Sequence, residues 1–112
     1  MARFPGGVEI VMETLNKVEL KGFVGNVRTD KIGNTVMTRF SVATNSVYKP
    51  DNDEYIVETT WHNCVGFGEK YTGIKKNDTV HLLGRIKVSR IIGSDGEPKQ
   101  SLEIIVNDLI ED

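Results

Sequence analysis

Two histidines and one cysteine are the chain's whole supply of the side chains that most often hold metals or serve as nucleophile and base. Their spacing suits neither task. His62 and His81 match no metal-binding motif, and Cys64, alone, makes no internal disulfide and no Cys-rich zinc site. Gly6-Gly7 is not followed by the Gly-Lys-Ser/Thr of a phosphate loop. No nucleophile elbow or paired-carboxylate motif is visible. No catalytic residue, metal or cofactor is therefore expected. His62 suits a hydrogen-bonding or interface role, His81 a strand surface, and Cys64 a small buried apolar position. The remaining chemistry lies in rings and cations: one Trp, three Tyr, four Phe, and 14 Lys plus Arg against 16 Asp plus Glu. The net charge of −2 excludes a uniformly basic surface, so a site for a polyanion must come from local placement of charge.

The elements that place these residues read as strands. With 112 residues, 38% hydrophobic, the chain makes one domain, and 11 glycines imply many turns. Residues 1–13 read as an N-terminal extension. They add an edge strand over residues 8–13, or precede an alternative start at Met12; the domain proper is 14–110. From Lys17 the pattern has period two, with Val18, Leu20, Gly22 and Val24 on one face and Lys17, Glu19, Lys21 and Phe23 on the other. After a turn at 30–34, a second strand covers 35–46, with Val36, Phe40 and Val42 facing in. Following the polar loop 49–53, a third strand covers 55–67. Residues 68–77 predict a short helical link, with Gly73 opposing anything longer. A fourth strand spans 79–92. It returns through the hairpin turn Gly93-Ser94-Asp95-Gly96 into a fifth over 100–107, an extended hairpin.

Three strands, a link and two strands predict an all-β fold, a five-stranded Greek-key barrel of the OB-fold kind, with a flat sandwich as the alternative. Gly22, Gly25, Gly66 and Gly84 mark places where coiled strands bend. On the third strand Val57, Thr59, Trp61, Val65 and Phe67 alternate with Glu58, Thr60, His62 and Cys64. Periodicity alone puts both rings in the core, and a bulge near Gly66 would move Phe67 to the other face.

Several segments carry a resemblance. Asn16-Lys17-Val18-Glu19-Leu20-Lys21-Gly22, Phe40-Ser41-Val42-Ala43-Thr44-Asn45, Glu58-Thr59-Thr60-Trp61-His62-Asn63-Cys64-Val65-Gly66-Phe67-Gly68 and Val80-His81-Leu82-Leu83-Gly84-Arg85-Ile86 resemble, in that order, the strands of bacterial single-stranded-DNA-binding proteins. The resemblance spans about residues 16–108. It implies an OB-fold that wraps single strands over aromatic platforms, usually as a homotetramer. It places Tyr48, Trp61 and Phe67 as platforms and His62 at a subunit interface, which reverses the core reading of the two rings. Cations near those platforms are Arg28, Arg39, Lys49, Lys70, Lys75, Lys76, Arg85, Lys87, Arg90 and Lys99. Acids are expected largely elsewhere, in the 51–54 loop and over 103–112. Ile91 stands where the family often has a further aromatic, and Glu69 where it has Lys. The link is about one turn shorter. The sequence stops at Glu111-Asp112 without the family's Gly/Gln/Pro-rich linker and acidic tip, so a short form is expected and recruitment of replication or repair partners is in doubt.

The expectation is sequence-tolerant binding of single-stranded DNA, non-enzymatic, in replication, recombination or repair, by a homo-oligomer, a tetramer rather than a dimer. The alternatives are a dimeric primosomal OB-fold accessory protein and a protein-interaction module with little affinity for DNA. No apolar run reaches the length of a membrane helix, and Pro5-Gly6-Gly7 and Glu9 interrupt any secretory signal. A cytoplasmic protein with no membrane partner is expected.

Overall fold

Alternation of apolar and polar residues becomes a closed wall. The computed structural model describes residues 2–4, 8–10, 13–50 and 53–111. Short strands β1 (Ala2–Phe4) and β2 (Val8–Ile10) pair with each other in a separate two-stranded sheet. The long strands β3 (Val18–Ile32), β4 (Thr35–Tyr48), β5 (Ile56–Phe67), β6 (Thr79–Ile92) and β7 (Pro98–Leu109) close into a barrel in the order β3-β4-β5-β7-β6. Among the described strands, β5 and β7 are the one neighbouring pair that is parallel. This is the OB-fold, and closure rules out the flat sandwich.

The inner face is the one that the β3 and β4 patterns announce. Leu20, Val24, Phe40, Val42, Cys64, Leu82, Ile104 and Val106 form the core. One turn of 3-10 helix, Glu69–Tyr71, is the expected link and sets Tyr71 and Ile74 into that core. The Tyr71 hydroxyl donates to the Val106 carbonyl at 3.4 Å. A Cβ at Gly66 would fall against the Tyr71 ring atoms, so the bare strand lets the ring lie on it. A second buried group, Met37, Val65 and Ile105, sits on the outer face, so β4 and β5 are covered locally on both sides.

Two hairpins outgrow the barrel. The β4–β5 ladder continues to Tyr48 opposite Ile56, and the β6–β7 ladder to Ile92 opposite Pro98. Their outer halves are exposed on both sides. The β3–β6 ladder ends at Val18 opposite Gly84. The Asn16 amide then extends it, accepting from the Ile86 N–H at 2.9 Å and donating to the Ile86 carbonyl at 2.8 Å. His81 is less exposed than a surface strand residue would be: its Nε2 lies 2.6 Å from Glu19 Oε2, because β3 and β6 are neighbours there.

Candidate nucleic-acid interface

The β4–β5 register decides where the rings point. Phe40 pairs with Cys64 and Val42 with His62, so the inner face of β5 carries its even-numbered residues. The ladder runs from Met37–Phe67 to Tyr48–Ile56 without a shift, and no bulge moves Phe67. Trp61, Asn63, Val65 and Phe67 therefore share the outer face. Trp61 is 58% exposed and Phe67 49%. Periodicity misassigned this strand because Val57, Thr59 and Val65 make its outer face look as apolar as a core face.

Three cross-strand rows build the outer face. Phe23, Ala43 and Trp61 follow one another across β3, β4 and β5. Arg28, Arg39, Val65, Ile105 and Arg85 cross all five strands. Asp30, Met37 and Phe67 form the third row. Trp61 and Phe67, about 20 Å apart along an extended strand, thus flank a pair of arginines.

The β3 bulge between Val24 and Val27 shapes the ground beside Trp61. A Cβ at Gly25 would fall 2.5 Å from the indole Cζ3, so only glycine lets the indole settle across β4 onto β3. The Asn26 N–H donates to Ser41 Oγ at 3.0 Å. Gly25, Asn26, Ser41, Trp61, Asn63 and Lys76 line a cleft at the indole. A second cleft adds Arg28, Arg39, Ser101 and Glu103 and shares Asn26, Ser41 and Asn63 with the first. Together they lead from the indole to the arginines. Sequence reasoning missed Asn26, Ser41 and Asn63, since small polar strand residues carry no signal until the register groups them.

The cations divide. Arg28, Arg39 and Lys76 line these clefts. Arg85 and Lys87 continue the outer face on β6, where Arg85 donates to Asn107 Oδ1 at 2.9 Å. Lys99 stands opposite Ile91 on that same side of the β6–β7 arm, and Arg90, opposite Gln100, lies on the other. Lys70 lines a different cleft with His81 and Asp108, its Nζ 4.0 Å from Asp108 Oδ1. Lys49 lies at the tip of the β4–β5 arm, 3.3 Å from Asp53 and over the Tyr55 ring. Lys75 belongs to the turn before β6, its N–H donating to Asp78 Oδ2 at 2.9 Å.

Tyr48 is exposed, but its register puts it on the face opposite Trp61, where its hydroxyl donates to Glu58 Oε1 at 3.3 Å. The three rings do not form one platform. His62 lies on that opposite face too, half-buried, with Nε2 2.8 Å from Thr44 Oγ1.

Acids are not segregated from this site. Arg28 Nε lies 3.0 Å from Asp30 Oδ2, and Arg39 Nη1 lies 3.5 Å from Glu103 Oε2. The β7 position of Glu103, one strand beyond β5, brings an acid to the arginines that chain order had placed far away. Cys64 is buried, and desolvation pushes its thiol from 9.0 up to about 12, which keeps it protonated at neutral pH. Among the described residues no three His, Cys, Asp or Glu side chains converge as metal ligands would.

Comparison with known proteins matches this geometry to one family. The pattern of the "Single-strand binding protein family" matches residues 15–110. A single-stranded DNA-binding protein of Xanthomonas axonopodis pv. citri is 33% identical over 101 residues, 85% of this chain and 56% of that protein. The mitochondrial single-stranded DNA-binding protein of Drosophila melanogaster is 32% identical over 108 residues, 89% of this chain and 73% of its own. The chain thus spans little more than half of the Xanthomonas relative. A Plasmodium falciparum SSB solved in complex with ssDNA superposes with a TM-score of 0.79 at 27% identity, covering 90% of this chain and 97% of that one.

Proposed function

The chain belongs to the single-strand binding protein family, and on that premise we propose that it binds single-stranded DNA without sequence preference, in replication, recombination or repair. One observation carries the reading: two large rings stand open on the outer face of β5, on either side of adjacent arginines. Unpaired bases present a π-face whatever their identity, so exposed rings stack on them sequence-tolerantly. Arg28, Arg39 and Lys76 follow the phosphates between and beside the rings. Tyr48 and Lys49 serve a strand that rounds the β4–β5 arm to its other side.

The protein acts in this proposal as a homo-oligomer, a tetramer rather than a dimer, with the His62 side of the β4–β5 arm turned toward another subunit. Light scattering measures that mass directly. The binding reading is tested with a labelled dT oligomer and a duplex of equal length, titrated at several salt concentrations. Log affinity for the oligomer should fall with log salt by about 0.7 per phosphate contacted. The duplex should bind more weakly, since its bases are already stacked. Salt-independent affinity would remove the phosphate contacts, and equal affinity for the duplex would remove the stacking. A protein-interaction module is the second reading. The pairing of both site arginines with acids favours it, and it requires no binding to either DNA.

A further inference from the structure

Phe23 is a large ring on the solvent-facing side of β3. Its neighbours Gly22 and Val24 are buried, while Phe23 is 54% exposed among the outward positions Lys17, Glu19 and Lys21. The register sets it directly across from Ala43, which stands directly across from Trp61. Ala43 faces the solvent side of the barrel yet is only 7% exposed. A methyl group flanked by two rings in a cross-strand row is covered in this way. The indole also reaches β3 at Gly25, two residues along the same strand from Phe23. Trp61 and Phe23 together make one apolar surface running from β5 over β4 to β3.

Cations and backbone order the far end of that surface. The Val24 N–H donates to the Asp78 carbonyl at 2.8 Å, and the Asn77 N–H donates to the Val24 carbonyl at 2.9 Å. These bonds hold the turn carrying Lys76 against β3, and Lys76 lines the same cleft as Trp61.

We propose that Phe23 is a base-stacking residue, taking an unpaired nucleobase beside the one on Trp61, and that the strand leaves Trp61 across β3 past Lys76. This rests on the reading of the outer face as a single-strand site. Phe23→Ala is expected to weaken binding of a dT oligomer by about 5- to 150-fold. Phe23→Leu, which keeps apolar bulk without a flat ring, is expected to lose most of the same affinity. In the double variant Trp61→Phe, Phe23→Trp the sole indole sits at position 23, and the oligomer should quench its fluorescence.

The outcomes separate two failures. If that indole is not quenched while the double variant still binds the oligomer, the assignment of Phe23 is overturned and the site at Trp61 stands. If neither Trp61→Ala nor Phe23→Ala changes affinity in folded protein, the single-strand reading of the face is what fails. If Phe23→Ala alters the mass in light scattering and Phe23→Leu restores both mass and affinity, Phe23 is a subunit contact and the proposal is wrong. Should Phe23→Ala not fold, the double variant decides alone.

Discussion

The two arms that outgrow the barrel expose large side chains to a similar degree but of different kinds. At the root of the β4–β5 arm stands Trp61, and Tyr48 and Tyr55 lie toward its tip. The β6–β7 arm offers Ile86, Val88, Ile91, Ile92 and Leu102, and no ring. Ile91 is 53% exposed, close to the 58% of Trp61. Exposure alone therefore does not mark a binding residue. A ring gives a flat face at little rotamer cost, whereas a branched aliphatic side chain offers no plane for a base to lie on. On the proposed reading, stacking should be lopsided, strong at the β4–β5 root and weak along the β6–β7 arm, where Arg85, Lys87 and Lys99 are expected to guide phosphates.

The sharpest break of this asymmetry pairs two truncations. Trp61→Ala is expected to cost about 1–3 kcal/mol of affinity for a dT oligomer, and Ile91→Ala less than about 0.5 kcal/mol. Comparable losses in an equilibrium titration would erase the distinction. Its converse is Ile91→Trp, which puts a ring on the poorer arm opposite Lys99. A gain of about 1 kcal/mol is expected, seen with long oligomers and absent with ones too short to reach the arm. Glu103→Gln concerns the charge between the rings. It frees Arg39 from its carboxylate and should strengthen binding by about 0.5 kcal/mol at low salt, with a steeper salt dependence.

A separate effect, on stability rather than on affinity, belongs to the core that both arms share. Burial raises the Cys64 thiol from 9.0 to about 12 in the folded chain. A folded-state pKa above the unfolded one favours folding at low pH. That contribution is intact below about 9 and is lost as pH climbs toward about 12. Denaturant melts should show stability falling across that window in the native protein and a flatter profile in Cys64→Ala. Iodoacetamide should leave the folded thiol unmodified at pH 8.

Much of the barrel was legible because alternation is strict where a strand has one wet face. Val18, Leu20, Gly22 and Val24 turn inward as their spacing requires, and β6 spans the very residues its pattern outlined. β5 resisted for a physical reason: its outer face is the more apolar one, and only pairing with Phe40 and Val42 tells which is inside. The resemblance supplied what periodicity lacked for Trp61 and Phe67. Contacts between distant strands stayed hidden from both. Glu103 meets Arg39 across β5, and Glu19 meets His81 across the β3–β6 seam. Phe23 was visible as an outward residue, but its alignment with Ala43 and Trp61 belongs to register, which no local pattern encodes.

The outward indole is the centre of the proposed site, and it reports on itself. Trp61 is the one tryptophan in the chain, so its emission during titration with an unlabelled dT oligomer comes from a single site. Saturable quenching is expected, weakened by added salt and much smaller with duplex. Unchanged emission under conditions where the oligomer is demonstrably bound would show that the bases lie elsewhere and that the exposed face of β5 is not where single strands rest.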